Sequence, residues 1–281
     1  MKIGYRQKET LIMSVKTVLF FGIGVLFLLP LLWMVSSSLK YPSEMFAKEF
    51  SWIPKSPRWE NYATVWNGEV VSMARGYANS AFITVMSIVV RLIVASLGAY
   101  AFAKIDFKGK NIAFMLLLST MMIPGEVTII PRFMLFHKIG LYNNLWAIIV
   151  PHWFAPGAIF FLRQFYKTLP TELMEAAKID GANHVRIFLQ IMMPLTKSAL
   201  ASQCVLSFVA CWNEYMSPLI FLVKKELYTV AQVIQWTMME DVSRTDMMMT
   251  AATLAIVPVV IVFFMGQRYF IEGIATSGVK G

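Results

Sequence analysis

The chain has 281 residues, 58% hydrophobic and 15% charged, against about 45–50% and about 25% in soluble domains. That balance excludes an ordinary soluble domain and points to an integral membrane protein. The net charge of +9 does not mark a nucleic-acid binder, because the basic residues fall in short gaps between apolar runs rather than on one face.

The N-terminal stretch MKIGYRQKETLIMSVK is basic and has no small-x-small cleavage site after it, so it reads as the flank of an uncleaved first helix. A spanning helix needs about 20 apolar residues. Six segments supply them, at about 17–39, 76–103, 111–131, 139–162, 198–223 and 247–267. The expected fold is all-α, one transmembrane domain over 1–281 with six helices. With the N-terminus inside, the inner segments carry 14 of the 25 basic residues, the outer ones ten, and Arg91 lies within a span. Lys and Arg in short segments carry most of the orientation signal, so both termini are expected to be cytoplasmic.

Two outer segments are long. Residues 40–75 mix Trp52, Pro54, Pro57, Trp59, Tyr62 and Trp66. They read as a packed loop with a short interfacial helix, serving as an anchor or as a docking surface. Residues 224–246 carry mixed charge without a pattern. The two cysteines, Cys204 and Cys211, are too far apart along one helix for a disulfide and read as packing residues. His137, His152 and His184 show no metal-ligand spacing. No P-loop is present, since Gly109-Lys110 lacks the upstream glycine. The largest inner segment, 163–197, is too short to fold a catalytic domain of its own.

That inner segment contains EAAKIDGANHVRIFLQIMMP. Pro170 suits a first helical turn, and Glu172 and Glu175 suit the positive N-terminal end. Gly181 ends or bends the helix, and a second short helix runs from near Asn183 towards Pro194 with Ile187, Phe188 and Ile191 as its apolar face. Glu172, Glu175 and Asp180 argue against a segment resting on anionic headgroups, which favour Lys and Arg. A docking site for a cytoplasmic protein accounts for it better.

The spacing Glu175-Ala176-Ala177, Gly181, Ile191 and Met193-Pro194 resembles the signature of binding-protein-dependent ABC importer permeases, with Met for Leu at 193. NSAFITV at 79–85, MMIPGEVTIIP at 121–131, WNEY at 212–215 and EGIATSGVKG at 272–281 extend the resemblance to the carbohydrate branch, MalG-like. It implies a type I permease fold in a bacterial cell membrane and an EAA loop over 167–195. Glu175, Ala176, Ala177, Asp180 and Gly181 would dock a coupling helix onto an ATP-hydrolysing subunit. It also implies a second, different permease, two ATPases that carry ATP and Mg, and an extracytoplasmic solute-binding protein. The loop between helices five and six, within 224–246, would face that protein. No catalytic residue, cofactor or metal is expected on this chain.

Polar groups within spans are the candidates for the substrate pathway. Asn213 and Glu214 interrupt helix five, flanked by Trp212 and Tyr215, and two readings stand: sugar contacts, or a helix break held by interhelical hydrogen bonds. Asn79 leans structural. Glu126 follows a Pro-Gly break and lines a gate or reaches headgroups. Arg91 needs a partner, Glu214 or a backbone carbonyl. The transported solute is expected to be a sugar or oligosaccharide. A glycerol phosphate importer is the alternative and would favour more pathway Arg or Lys. A self-sufficient secondary transporter or channel would predict internal repeats, and none is evident.

Overall fold

A computed structural model describes residues 5–45, 47, 51–240 and 243–278, without the side chains of 5–8, 10, 11 and 270–278. Helices come in the order α1 Tyr5–Ser38, α2 Pro42–Met45, α3 Glu60–Asn67, α4 Met73–Lys104, α5 Lys110–Ser119, α6 Gly125–Lys138, α7 Trp146–Trp153 and α8 Pro156–Thr168. They continue as α9 Glu172–Ile179, α10 His184–Ile187, α11 Met193–Leu195, α12 Lys197–Trp212, α13 Met216–Phe221, α14 Val230–Glu240 and α15 Thr245–Gly278. Among the described residues there is no strand. Four stretches, Ile12–Ser38, Met73–Lys104, Trp146–Thr168 and Thr245–Tyr269, are long and apolar enough to cross a membrane. The number rises to six if two bent pairs count as one span each: α5 with α6, bent by 94°, and the α10–α11 stretch with α12, bent by 77°.

The chain divides into two compact units. The first, residues 1–67 and 234–254, has a polar core. Ser38 presents its carbonyl to Asn61 Nδ2 at 2.9 Å and to Thr250 Oγ1 at 3.0 Å. The fully buried Lys40 donates to the Ser51 carbonyl at 2.6 Å and lies 3.9 Å from the centre of the Trp33 ring. Ser36 Oγ donates to the Trp52 carbonyl. Buried Asp246 takes a two-pronged contact from Arg244 at 3.1 and 3.2 Å. The aromatic–proline segment is thus a packed loop with the short helix α3, because its carbonyls and rings satisfy charged and hydroxyl groups that burial would otherwise penalise.

The second unit, residues 68–233 and 255–281, is built around α4. Ser72 caps α4 by accepting from Arg75 N at 3.4 Å. The buried stripe of α4 alternates small residues (Ser80, Thr84, Ser87, Ala95, Ser96, Ala99) with Ile83, Ile88 and Tyr100. Small residues let another helix approach closely, which is how spans pack when lipid removes the hydrophobic drive. Ala95, Ala99 and Tyr100 meet Ile159, Leu162 and Tyr166 of α8 in one cluster, which Met174, Ile187, Phe188 and Met192 of the inner loop complete.

The apolar run at 139–162 is two helices, α7 and α8, parted at Phe154–Ala155. Pro156 opens α8, where its missing N–H costs nothing. The run at 111–131 likewise breaks after Ile123, where Pro124 forbids a helical predecessor. The run at 198–223 breaks at 213–215.

Candidate functional site

The inner loop leaves α8 through Leu169 and Pro170. Helix α9 carries Glu172 and Glu175 in its first turn, where the helix dipole favours carboxylates. Its termination is a Schellman turn: Ala182 N donates to the Ala177 carbonyl at 2.9 Å, and Gly181 N to Lys178 O at 3.0 Å. Gly181 has φ +78°, a left-handed angle that side chains disfavour, and nothing lies within 4 Å of a Cβ placed there. Asn183 caps α10 by accepting from Arg186 N at 2.9 Å. A π-helical turn, Phe188–Met192, then leads to α11.

Met174 is buried and Ala177 half-buried against the core cluster, while Glu175, Ala176, Asp180 and Gly181 are exposed. The five loop residues singled out by sequence therefore lie on one α9–turn unit, with all but Ala177 open to a partner. The sequence reading missed Ile179, which is 87% exposed, and Val185 at 65%. Ile179 directly precedes Asp180 at the end of α9. The signal lay in the sequence: with Met174 and Ala177 turned inward, 3.6-residue spacing places Ile179 on the far side of α9. An aliphatic side chain held in water next to carboxylates and alanine offers both burial and directional contacts to a docking protein.

A second constellation lies within the spans of the second unit. Glu214 sits in the break between α12 and α13, its Oε2 2.6 Å from His152 Nε2. Arg91 of α4 donates through Nε to the His152 carbonyl at 2.8 Å, and through Nη1 to Ser207 Oγ at 3.3 Å. Its Nη2 lies 3.1 Å from His152 Nδ1. A guanidinium only donates, so Nδ1 accepts, and the proton of a neutral His152 sits on Nε2, facing Glu214. Arg91, His152 and Glu214 then form a chain of alternating donor and acceptor across α4, α7 and the α12–α13 break. Arg91's partner is a backbone carbonyl, and Glu214 is reached only through the imidazole.

The remaining candidates scatter. Asn79 donates to the carbonyls of Glu226 at 2.9 Å and Tyr228 at 3.0 Å, clamping the segment before α14. Glu126 is exposed in the first turn of α6. Asn213 is exposed beside Glu214, and Tyr215 is half-buried. Trp212 is not open to a ligand: its indole N–H donates to the Ala255 carbonyl at 3.0 Å, and its ring lies against Tyr77 and Phe208. Both cysteines are free, and among the described residues no cluster of His, Cys, Asp and Glu could hold a metal ion. Residues 279–281 of the closing EGIATSGVKG lie outside the described residues.

The family described as binding-protein-dependent transport system inner membrane component matches residues 91–276. The chain is 33% identical over 278 residues to the arabinooligosaccharides transport system permease protein AraQ of Halalkalibacterium halodurans, covering 98% of this chain and 99% of that one. It is 32% identical over 263 residues to the sn-glycerol-3-phosphate transport system permease protein UgpE of Yersinia pestis bv. Antiqua (strain Antiqua), with 91% and 93% covered. A solved bacterial ABC transporter involved in the import of the acidic polysaccharide alginate shares the fold, with a TM-score of 0.79 at 24% identity, covering 95% of this chain and 99% of that one.

Proposed function

The chain belongs to the family of binding-protein-dependent transport system inner membrane components, and on that premise we propose that it forms half of an ATP-driven pathway importing a sugar or oligosaccharide. It is a multi-pass membrane protein with the fold of a type I ABC importer permease, a transport subunit rather than an enzyme. As a member of this family it works with a second permease, ATPase subunits and a binding protein. In this reading the second permease is a different chain, and ATP and Mg sit on two ATPases. The membrane is the bacterial cell membrane, with both termini cytoplasmic.

The observation that carries the reading is the exposed α9–Gly181–α10 unit, rooted in the span core through Met174, Ile187 and Phe188. A rigid root and an open polar tip are what a coupling helix needs. Glu175 and Asp180 supply acceptors for an ATPase cleft, Ala176 and Ala177 allow close approach, and ATPase closure moves the root and with it the spans. Alternating access follows when ATP and the loaded binding protein favour different states.

The relatives' identities of 33% and 32% do not separate an oligosaccharide from glycerol phosphate. Charge favours the sugar. Arg91 is engaged by His152 and Ser207 and so is not held out for a phosphate. Asn213, Glu214 and Tyr215 then stand as the pathway's polar lining. Asn79 and Glu126 serve its outer end.

Purification of the tagged chain from its native membrane in mild detergent tests the assembly. An ATPase and a second permease should copurify. A chain that comes down alone and still carries solute across liposomes would refute the reading.

A further inference from the structure

A recess of 640 Å³ lies at the end of the spans that carries the α9 loop, between the end of α4, the start of α5 and the last turns of α8. Its walls bring together Arg163, Lys167 and Lys110. Arg163 is 9% exposed; its Nε donates to the Phe102 carbonyl at 3.1 Å and its guanidinium lies 3.9 Å from the centre of the Phe114 ring. Its two Nη groups make no hydrogen bond among the described residues and open into the recess, where they can take an anion's oxygens. The one carboxylate in the wall, Asp106, is fully exposed and pairs with Lys110 at 3.2 Å, leaving three cations against a single anion.

The start of α5 adds to this. Gly109, at φ +82°, holds the cap position without a side-chain bond, and the first intrahelical bond is Ala113 N to Gly109 O. The N–H groups of Asn111 and Ile112 therefore remain open at the recess. The rim is apolar, with Phe107 44% and Ile112 66% exposed, and α5 continues with Met115 and Leu116 equally bare.

We propose that this recess binds the phosphate of an anionic phospholipid headgroup, with Arg163 as the buried anchor, Lys110 and Lys167 at the mouth, and acyl chains along Ile112, Met115 and Leu116. The cations mark the ends of spanning helices, where a headgroup lies and where basic pockets between helices take anionic lipid. The bare aliphatic face beside a phosphate site favours a lipid over free phosphate. Lys104 of the same end donates to the Leu169 carbonyl at 2.6 Å, so the headgroup sits beside the root of α9.

The test is native mass spectrometry of the full chain, with any partners it retains, released from nanodiscs of mixed phosphatidylcholine and phosphatidylglycerol. The wild type should keep phosphatidylglycerol in preference to phosphatidylcholine. Lys110→Gln and Lys167→Gln should each weaken that preference about fivefold, and excess inorganic phosphate should not displace the lipid. Arg163 is left intact, because its Nε also holds the Phe102 carbonyl. Equal retention by the double variant, no preference in the wild type, or displacement by inorganic phosphate would each overturn the proposal.

Discussion

Arg91 and Glu214 do not touch, yet His152 makes them one unit. Both are half-buried, and removing either leaves the imidazole without one of its two charged neighbours, which costs about 1–3 kcal/mol. Glu214→Ala and Arg91→Ala should each lower the thermal stability of the detergent-solubilised chain. The double variant should lose less than the sum, a coupling of about 1–3 kcal/mol between residues that share a network. Strict additivity in that cycle would show that the imidazole transmits nothing. Asn79→Ala, by contrast, removes two donors from the carbonyls of Glu226 and Tyr228. It should raise hydrogen exchange locally before α14 and leave exchange in α4 unchanged. At this scale the sequence was half legible. Arg91 and Glu214 stood out as ionisable groups in apolar runs, and a need for partners followed. His152 did not, because histidines were weighed only for metal spacing, whereas an imidazole within a span is itself a candidate partner. Which nitrogen faces which neighbour depends on three helices meeting, and no local pattern encodes that.

At the scale of elements, apolar runs located the spans but not their breaks. The structure starts α4 at Met73, where Ser72 caps it, and carries α15 well past the apolar run to Gly278. Composition reports which residues lipid tolerates, while helices continue through polar residues wherever backbone bonds do. The break at Pro124-Gly125 was visible in the sequence, whereas the one before Pro156 was passed over within a run read as a single helix. The 94° bend between α5 and α6 is set by packing that the sequence does not state locally. The inner loop was the most legible element, because the early glutamates, Gly181 and Asn183 all act through local backbone chemistry, although Pro170 lies just before the Thr171 cap and not in the first turn. What the sequence reading passed over was the apolar part of its open face. Ile179→Ser should therefore leave stability within about 0.5 kcal/mol, as a solvent-facing change does, while sharply reducing the ATPase recovered with the chain. Undiminished recovery would move the docking face elsewhere on the loop.

At the scale of the whole molecule, the account requires the α9 loop and the segment before α14 to lie on opposite sides of the membrane. In a chain whose two cysteines are replaced by serine, Glu226→Cys should react with an impermeant maleimide on intact cells, and Lys178→Cys only after lysis. The reverse pattern would invert the topology. The class of the protein was readable from composition. The existence of partners was readable from one loop that a self-sufficient transporter would not need. The central claim is that this loop turns ATPase motion into movement of the spans, and Gly181 tests it most directly. Valine at φ +78° strains the Schellman turn, although nothing lies within 4 Å of the added Cβ. The measurement is solute uptake by cells expressing Gly181→Val at matched membrane levels. The account predicts normal insertion with uptake abolished; normal uptake would contradict it.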